Sequence, residues 1–123
     1  MRISFALLAA LALSATGAPA IAVTPALIDP AALAGTWSLS SGGKTCHLSL
    51  SVALVEGTKA HSIDLGDCVE AGFPRLRTWS AESDGLAFEL DGGKVLFMSR
   101  EAADRFEGKG RDGRQYVMSR NSR

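Results

Sequence analysis

The chain has 123 residues, with 13 Lys and Arg against 13 Asp and Glu, so its formal net charge at pH 7 is zero. This balance excludes the basic surplus that draws a protein to nucleic acid or to an anionic membrane surface, and we expect neither partner. The two histidines and two cysteines show no HxH, HExxH or CxxC spacing. We therefore expect no cofactor and no metal site of the chain's own.

Residues 1–22 are predicted to be a secretory signal peptide. Arg2 supplies the positive charge, and Phe5 to Leu13 is an apolar stretch of signal length, too short to span a membrane. Small residues allow cleavage after Ala20 or after Ala22, and we prefer the second site. The mature chain then begins at Val23 and forms one domain of about 101 residues. No cysteine stands at the cleavage point to take a lipid anchor; an uncleaved membrane anchor is the alternative.

Residues 23–34 are predicted to form an N-terminal arm ahead of the first strand. They contain Pro25 and Pro30 and show no strand alternation. Asp29 can cap one short helical turn that begins at Pro30. A projecting segment with a new α-amino terminus can act by inserting that terminus into a partner. An ordinary disordered linker is the alternative.

Residues 35–123 show about eight short segments with strand patterns, separated by turns that contain Gly or Asp. Period two is clearest from Thr45 to Val52, where Cys46, Leu48, Leu50 and Val52 share one face. Asp-Gly turns at residues 91–93 and 111–114 indicate hairpins. The pattern predicts an all-β fold, a compact eight-stranded antiparallel up-and-down β-barrel with an extended N-terminal arm. A two-sheet sandwich is the alternative.

Side chains are expected to fill the barrel interior, because a barrel of this size has short strands. Val95 and Phe97 share one face of their strand. We expect core filling for most of the large aromatic residues, which are Trp37, Trp79, Phe88, Phe97, Phe106 and Tyr116.

Cys46 and Cys68 most simply form one disulfide in an exported domain. Closing that loop is expected to stabilise the fold by about 3 kcal/mol. A reactive thiol or a metal pair is the alternative, with no nearby base or CxxC spacing to support it. His47 and His61 are predicted to be surface residues. Because no nucleophile–base pair is visible either, we do not expect an enzyme.

The sequence resembles the periplasmic inhibitors of serralysin-type zinc metalloproteases, the alkaline-protease inhibitor family. The similarity covers essentially the whole mature chain, and no single motif is specific by itself. The matching features are Ala31-Ala32-Leu33-Ala34-Gly35-Thr36-Trp37, Cys46, Cys68, Trp79, Asp84-Gly85-Leu86, Val95-Leu96-Phe97-Met98-Ser99-Arg100, Arg105-Phe106-Glu107 and Asp112-Gly113.

The resemblance implies a periplasmic inhibitor that binds a secreted zinc metalloprotease as a monomer in a 1:1 complex. The barrel would rest on the protease while an N-terminal trunk enters the active-site cleft. The trunk would consist of Val23, Thr24, Pro25, Ala26 and Leu27, with the Val23 amine near the catalytic zinc. Cleavage after Ala20 would lengthen this trunk by two residues. Family members begin with small polar residues, whereas Val23 is apolar and β-branched.

Other functions stay open at this stage. Some relatives are suggested to inhibit further protease classes. A lipocalin-like carrier would need an open barrel lined by Trp37, Trp79 or Phe88. A cell-envelope interaction module would use the arm as a tether and would leave proteases unaffected.

Overall fold

The structure, a computed structural model, describes residues 27–120. The predicted signal peptide, the arm residues Val23 to Ala26 and the last three residues lie outside the described part. The described elements are a one-turn helix α1 (Pro30–Leu33) and the strands β1 (Gly35–Ser41), β2 (Lys44–Leu54), β3 (His61–Asp64), β4 (Leu76–Glu82), β5 (Gly85–Leu90), β6 (Val95–Ala102), β7 (Arg105–Lys109) and β8 (Gln115–Ser119). None of the helices in this range is long and apolar enough to cross a membrane.

The eight strands form one closed barrel in which each strand pairs antiparallel with the next, as the sequence predicts. The barrel closes between β8 and β1, where Leu39 lies opposite Met118. The two-sheet sandwich is therefore excluded. Closure gives each described strand a partner on both sides, although the β3–β4 contact is limited to the pair His61 and Trp79.

The barrel interior is filled by side chains, as expected. Trp37, Trp79, Phe88 and Phe106 are at most 1% exposed. The Trp37 and Phe106 rings meet edge to face, with centroids 5.7 Å apart, a favoured arrangement for aromatic pairs. The three residues that an open ligand-carrying barrel would need as its lining are thus buried in the packed core.

Core filling is confirmed for five of the six large aromatic residues, and Phe97 is the exception, with a side chain that is 47% exposed. Along β6 it is Leu96 and Met98 that face the core, while Val95 and Phe97 lie on the outer face. The pattern misleads here because both faces of this strand are apolar. Phe97 lies over Gly85 of the neighbouring strand, with a ring carbon 2.9 Å from the position a Cβ would occupy. The ring therefore covers backbone that has no side chain of its own.

Val52 is also placed wrongly by strict alternation. Cys46, Leu48 and Leu50 face inward as predicted, but Val52 is 49% exposed. The pairing between β2 and β3 shifts between Leu50 and Leu54. Such an irregularity disrupts the regular ladder, and Val52, Ala53 and Leu54 are all exposed at this end of β2.

The two histidines differ in their environment. His47 is exposed, as predicted, whereas His61 is half-buried. The His61 ring lies 4.7 Å from the Trp79 ring, centroid to centroid. Its Nδ1 is 2.9 Å from the Val52 carbonyl oxygen. Surface placement of His61 is therefore corrected, because β3 presents it to the large indole on β4.

Cys46 and Cys68 form the predicted disulfide, with an S–S length of 2.07 Å and both residues fully buried. The bond ties the loop between β3 and β4 to β2. With this bond formed, neither sulfur is a free thiol.

Candidate functional site

The described part of the N-terminal segment lies at one end of the barrel. Leu27 makes an isolated antiparallel bridge to Ser83, in the turn between β4 and β5. Asp104, in the turn between β6 and β7, joins the same end through Arg120, the residue that follows β8. The disulfide-linked loop belongs to the opposite end, where β1 meets β2.

Local sequence explains why α1 begins where it does. The Asp29 carboxylate accepts a hydrogen bond from the Ala31 amide at 3.0 Å. Pro30 occupies the first helical turn, where its missing amide hydrogen is not needed. Both features agree with the predicted helical turn. The helix ends at Leu33, and its C-cap residue Ala34 is the one residue between α1 and β1.

The base of the segment is docked on the barrel. Ile28 is 7% exposed and Leu33 is 1% exposed, and both belong to the hydrophobic core. The indole Nε1 of Trp37 donates to the Leu33 carbonyl at 2.8 Å. Residues 28–34 of the predicted arm are thus packed on the barrel as part of the folded domain.

Arg120 fastens this base to the barrel. Its Nη1 donates to the Ala34 carbonyl at 3.0 Å and its Nη2 donates to the Ala32 carbonyl at 2.6 Å. Its Nε donates to Asp104 Oδ1 at 2.8 Å. The guanidinium also lies 4.1 Å above the Trp37 ring, close enough for a cation–π interaction.

Sequence reasoning missed Arg120, because nothing in its local pattern marks it. Two of its partners are backbone carbonyls that lie 86 and 88 residues earlier in the chain. The one indirect hint is Gly35, which lies two residues before Trp37 in the sequence. Gly35 has φ of +121°, a conformation that a residue with a Cβ rarely adopts, and it faces the Arg120 guanidinium.

Of the predicted trunk residues Val23 to Leu27, the structure describes Leu27. Its side chain is 66% exposed, in contrast to the buried Ile28 that follows it. Val23, Thr24, Pro25 and Ala26 lie outside the described residues. From Leu27, an extended chain of four further residues can reach at most about 14 Å to Val23.

The described residues include one group with metal-ligand atoms close together, formed by Cys46, Asp67 and Cys68 within 4.8 Å. Because the two sulfurs are bonded to each other, they offer no thiolate to a metal ion. Asp67 instead accepts a hydrogen bond from the His47 amide. This group is therefore structural.

Two surface clefts lie at the end of the barrel opposite the N-terminal segment. The larger has a volume of about 470 Å³ and is lined by residues that include Lys44, Phe73, Arg114 and Tyr116. Burial raises the pKa of the Tyr116 hydroxyl above its ordinary value, with a further contribution from Asp112.

Fold and site together define a small closed β-barrel with one disulfide and with residues 28–34 docked on one end of the barrel. A sequence profile described as "Protease inhibitor Inh" matches residues 27–120. The chain belongs to this protease inhibitor family.

Two relatives extend the comparison. A proteinase inhibitor of Dickeya chrysanthemi is 32% identical over 109 residues, which cover 87% of this chain and 90% of that protein. A solved inhibitor of a psychrophilic marine protease MP is 26% identical, with a TM-score of 0.58 over 76% of this chain and all of its own. Both are described as protease inhibitors rather than enzymes. An alignment over 87% of the chain cannot fit within residues 27–123, so the similarity to the Dickeya protein includes residues ahead of Leu27.

Proposed function

We propose that this protein inhibits a secreted zinc metalloprotease of the serralysin type by inserting residues 23–27 into the active-site cleft. The observation that supports this best is the abrupt change from the buried Ile28 to the exposed Leu27. A short segment that leaves a fixed base is suited to entering a cleft, because little of the chain has to be ordered on binding.

The chemistry at the tip follows from the amine of Val23. A catalytic zinc has three protein ligands and an open position that a neutral amine can occupy. An α-amino group has a pKa near 7.7–8.0, so zinc can compete with its proton at neutral pH. The amine would displace the water that attacks the peptide bond.

The protease partner follows from the family and from both relatives. The zinc-dependent class of that partner, the arm mechanism and the 1:1 stoichiometry rest on the sequence resemblance. Export through residues 1–22 to the periplasm belongs to the same proposal. In that compartment the inhibitor would protect the envelope from a protease in transit, and the Cys46–Cys68 disulfide would be stable.

The test is a variant that lacks residues 23–27 and begins at Ile28. We expect it to lose inhibition of a serralysin-type protease by at least a hundredfold while its thermal unfolding midpoint stays within a few degrees of the intact protein. A matched control is Arg111→Gln, an exposed change at the opposite end of the barrel, which should leave inhibition intact. Equal inhibition by the truncated and intact proteins would refute the arm mechanism.

A further inference from the structure

Arg120 has contacts that set it apart from the other arginines in the described part of the chain. One guanidinium joins two backbone carbonyls of the N-terminal segment, a carboxylate of the β6–β7 turn and the face of Trp37. The Arg120 and Asp104 side chains are only 26% and 20% exposed. The planar fork of arginine suits this set of partners, whereas a lysine ammonium cannot contact all of them at once.

These contacts are separate from the closure of the barrel. The β1–β8 ladder pairs Ser38 with Ser119, Leu39 with Met118 and Ser40 with Val117. Arg120 directly follows Ser119, the last residue of β8. Two of its side-chain hydrogen bonds reach the carbonyls of Ala32 and Ala34, which precede β1. Its side chain thus joins the segment ahead of the barrel to Trp37 of β1 and to the β6–β7 turn, and it takes no part in the backbone ladder between β1 and β8.

The consequence for the arm is geometric. With residues 28–34 fixed and Leu27 bridged to Ser83, the part of the arm that precedes Leu27 can place its tip at most about 14 Å from Leu27. If these residues were released, the free segment would start near Gly35, and its tip could lie up to about 40 Å from that point. A longer and looser tether lowers the effective concentration of the tip at its target and has more freedom to lose on binding.

We propose that Arg120 is a positioning residue for the inhibitory arm, setting its origin and direction by holding the Ala32 and Ala34 carbonyls. This inference rests on the proposed function, since a positioned arm matters only where the arm binds a protease. Arg120 does not touch the protease in this account, and it acts entirely through the segment it holds.

The experiment compares wild type with Arg120→Gln, with Arg120→Lys and with Arg114→Gln as the matched control. Arg114 also pairs with an acidic side chain, Asp112, at the opposite end of the barrel. Inhibition constants against a serralysin-type protease are measured together with amide hydrogen exchange of the free proteins.

We expect R120Q to raise the inhibition constant at least tenfold and to speed exchange at Ala31 to Gly35 at least tenfold. Exchange in β4, β5 and β6 should stay unchanged. R120K should give an intermediate effect, because it keeps the charge and loses the fork, and R114Q should match wild type. If R120Q proves too unstable, Asp104→Asn removes the negative charge that pairs with Arg120 and should change both readouts in the same direction.

Two results would overturn the proposal: unchanged exchange at Ala31 to Gly35 in R120Q, or faster exchange there with an unchanged inhibition constant. A general loss of stability would show as faster exchange in all the strands and would also count against a positioning role. Failure of the proposed function is distinguishable, because wild type itself would then not inhibit. The exchange data on the free proteins would still decide whether Arg120 holds the segment.

Discussion

At the residue scale, Asp67 shows how one side chain can fix a long loop. Its Oδ1 accepts a hydrogen bond from the His47 amide at 2.7 Å, and its Oδ2 lies 3.9 Å from His47 Nδ1. The amide hydrogen bond is the main reason why the pKa of Asp67 is lower than its ordinary value of 3.8. The ionised carboxylate is thus favoured in the folded state.

This lowered pKa predicts a defined pH dependence for Asp67→Asn. Because the folded-state pKa lies below the unfolded value of 3.8, the ionised group contributes stability above that pH and loses it as the pH falls through the folded pKa. The stability difference between wild type and D67N should be larger at pH 6 than at pH 2.5. Urea unfolding at the two pH values measures it, and an equal difference at both would contradict the assignment.

At the scale of elements, period two predicts most strands but fails at two kinds of position. Leu48, Leu50 and Phe88 face the core as alternation predicts, because each belongs to a regularly paired stretch. Val52 lies within an irregular stretch of the β2–β3 pairing, between Leu50 and Leu54, that leaves no local signature in the sequence. Phe97 belongs to a strand with two apolar faces, where the pattern alone cannot tell inside from outside.

The disulfide is the element-scale feature whose removal has the clearest expected cost. Replacing both cysteines, Cys46→Ser with Cys68→Ser, should lower the free energy of unfolding by about 3 kcal/mol, because the denatured chain regains the freedom of a loop that spans 22 residues. Chemical denaturation of the double variant measures this change. A cost below about 1 kcal/mol would mean that the Asp67 contact and the buried Phe73 hold the loop without the bond.

At the scale of the whole molecule, the sequence predicts the barrel, the disulfide and the helical turn because each has a local or compositional signature. Asp29 before Pro30 is one such signature, and strand spacing near ten residues is another. The docking of residues 28–34 has none, since it depends on the distant Arg120 meeting backbone carbonyls across the barrel end. The boundary between arm and domain therefore emerges only from the three-dimensional arrangement.

The central claim is that the chain terminus at Val23 reaches the zinc of a protease. This claim requires one particular length of the arm, because one extra residue moves the terminal amine by about 3.4 Å. The arm has a defined length because Ile28 and Leu33 are buried in the core, which fixes the point on the barrel from which the arm starts.

The most direct measurement is a titration of a serralysin-type protease with protein whose Val23 terminus has been verified by mass spectrometry. A matched protein retains Ala22 as one additional N-terminal residue. The account predicts loss of protease activity at one inhibitor per protease with the Val23 terminus, and inhibition at least tenfold weaker with the extended one. Equal inhibition by the two proteins, or no inhibition at micromolar concentration, would contradict it.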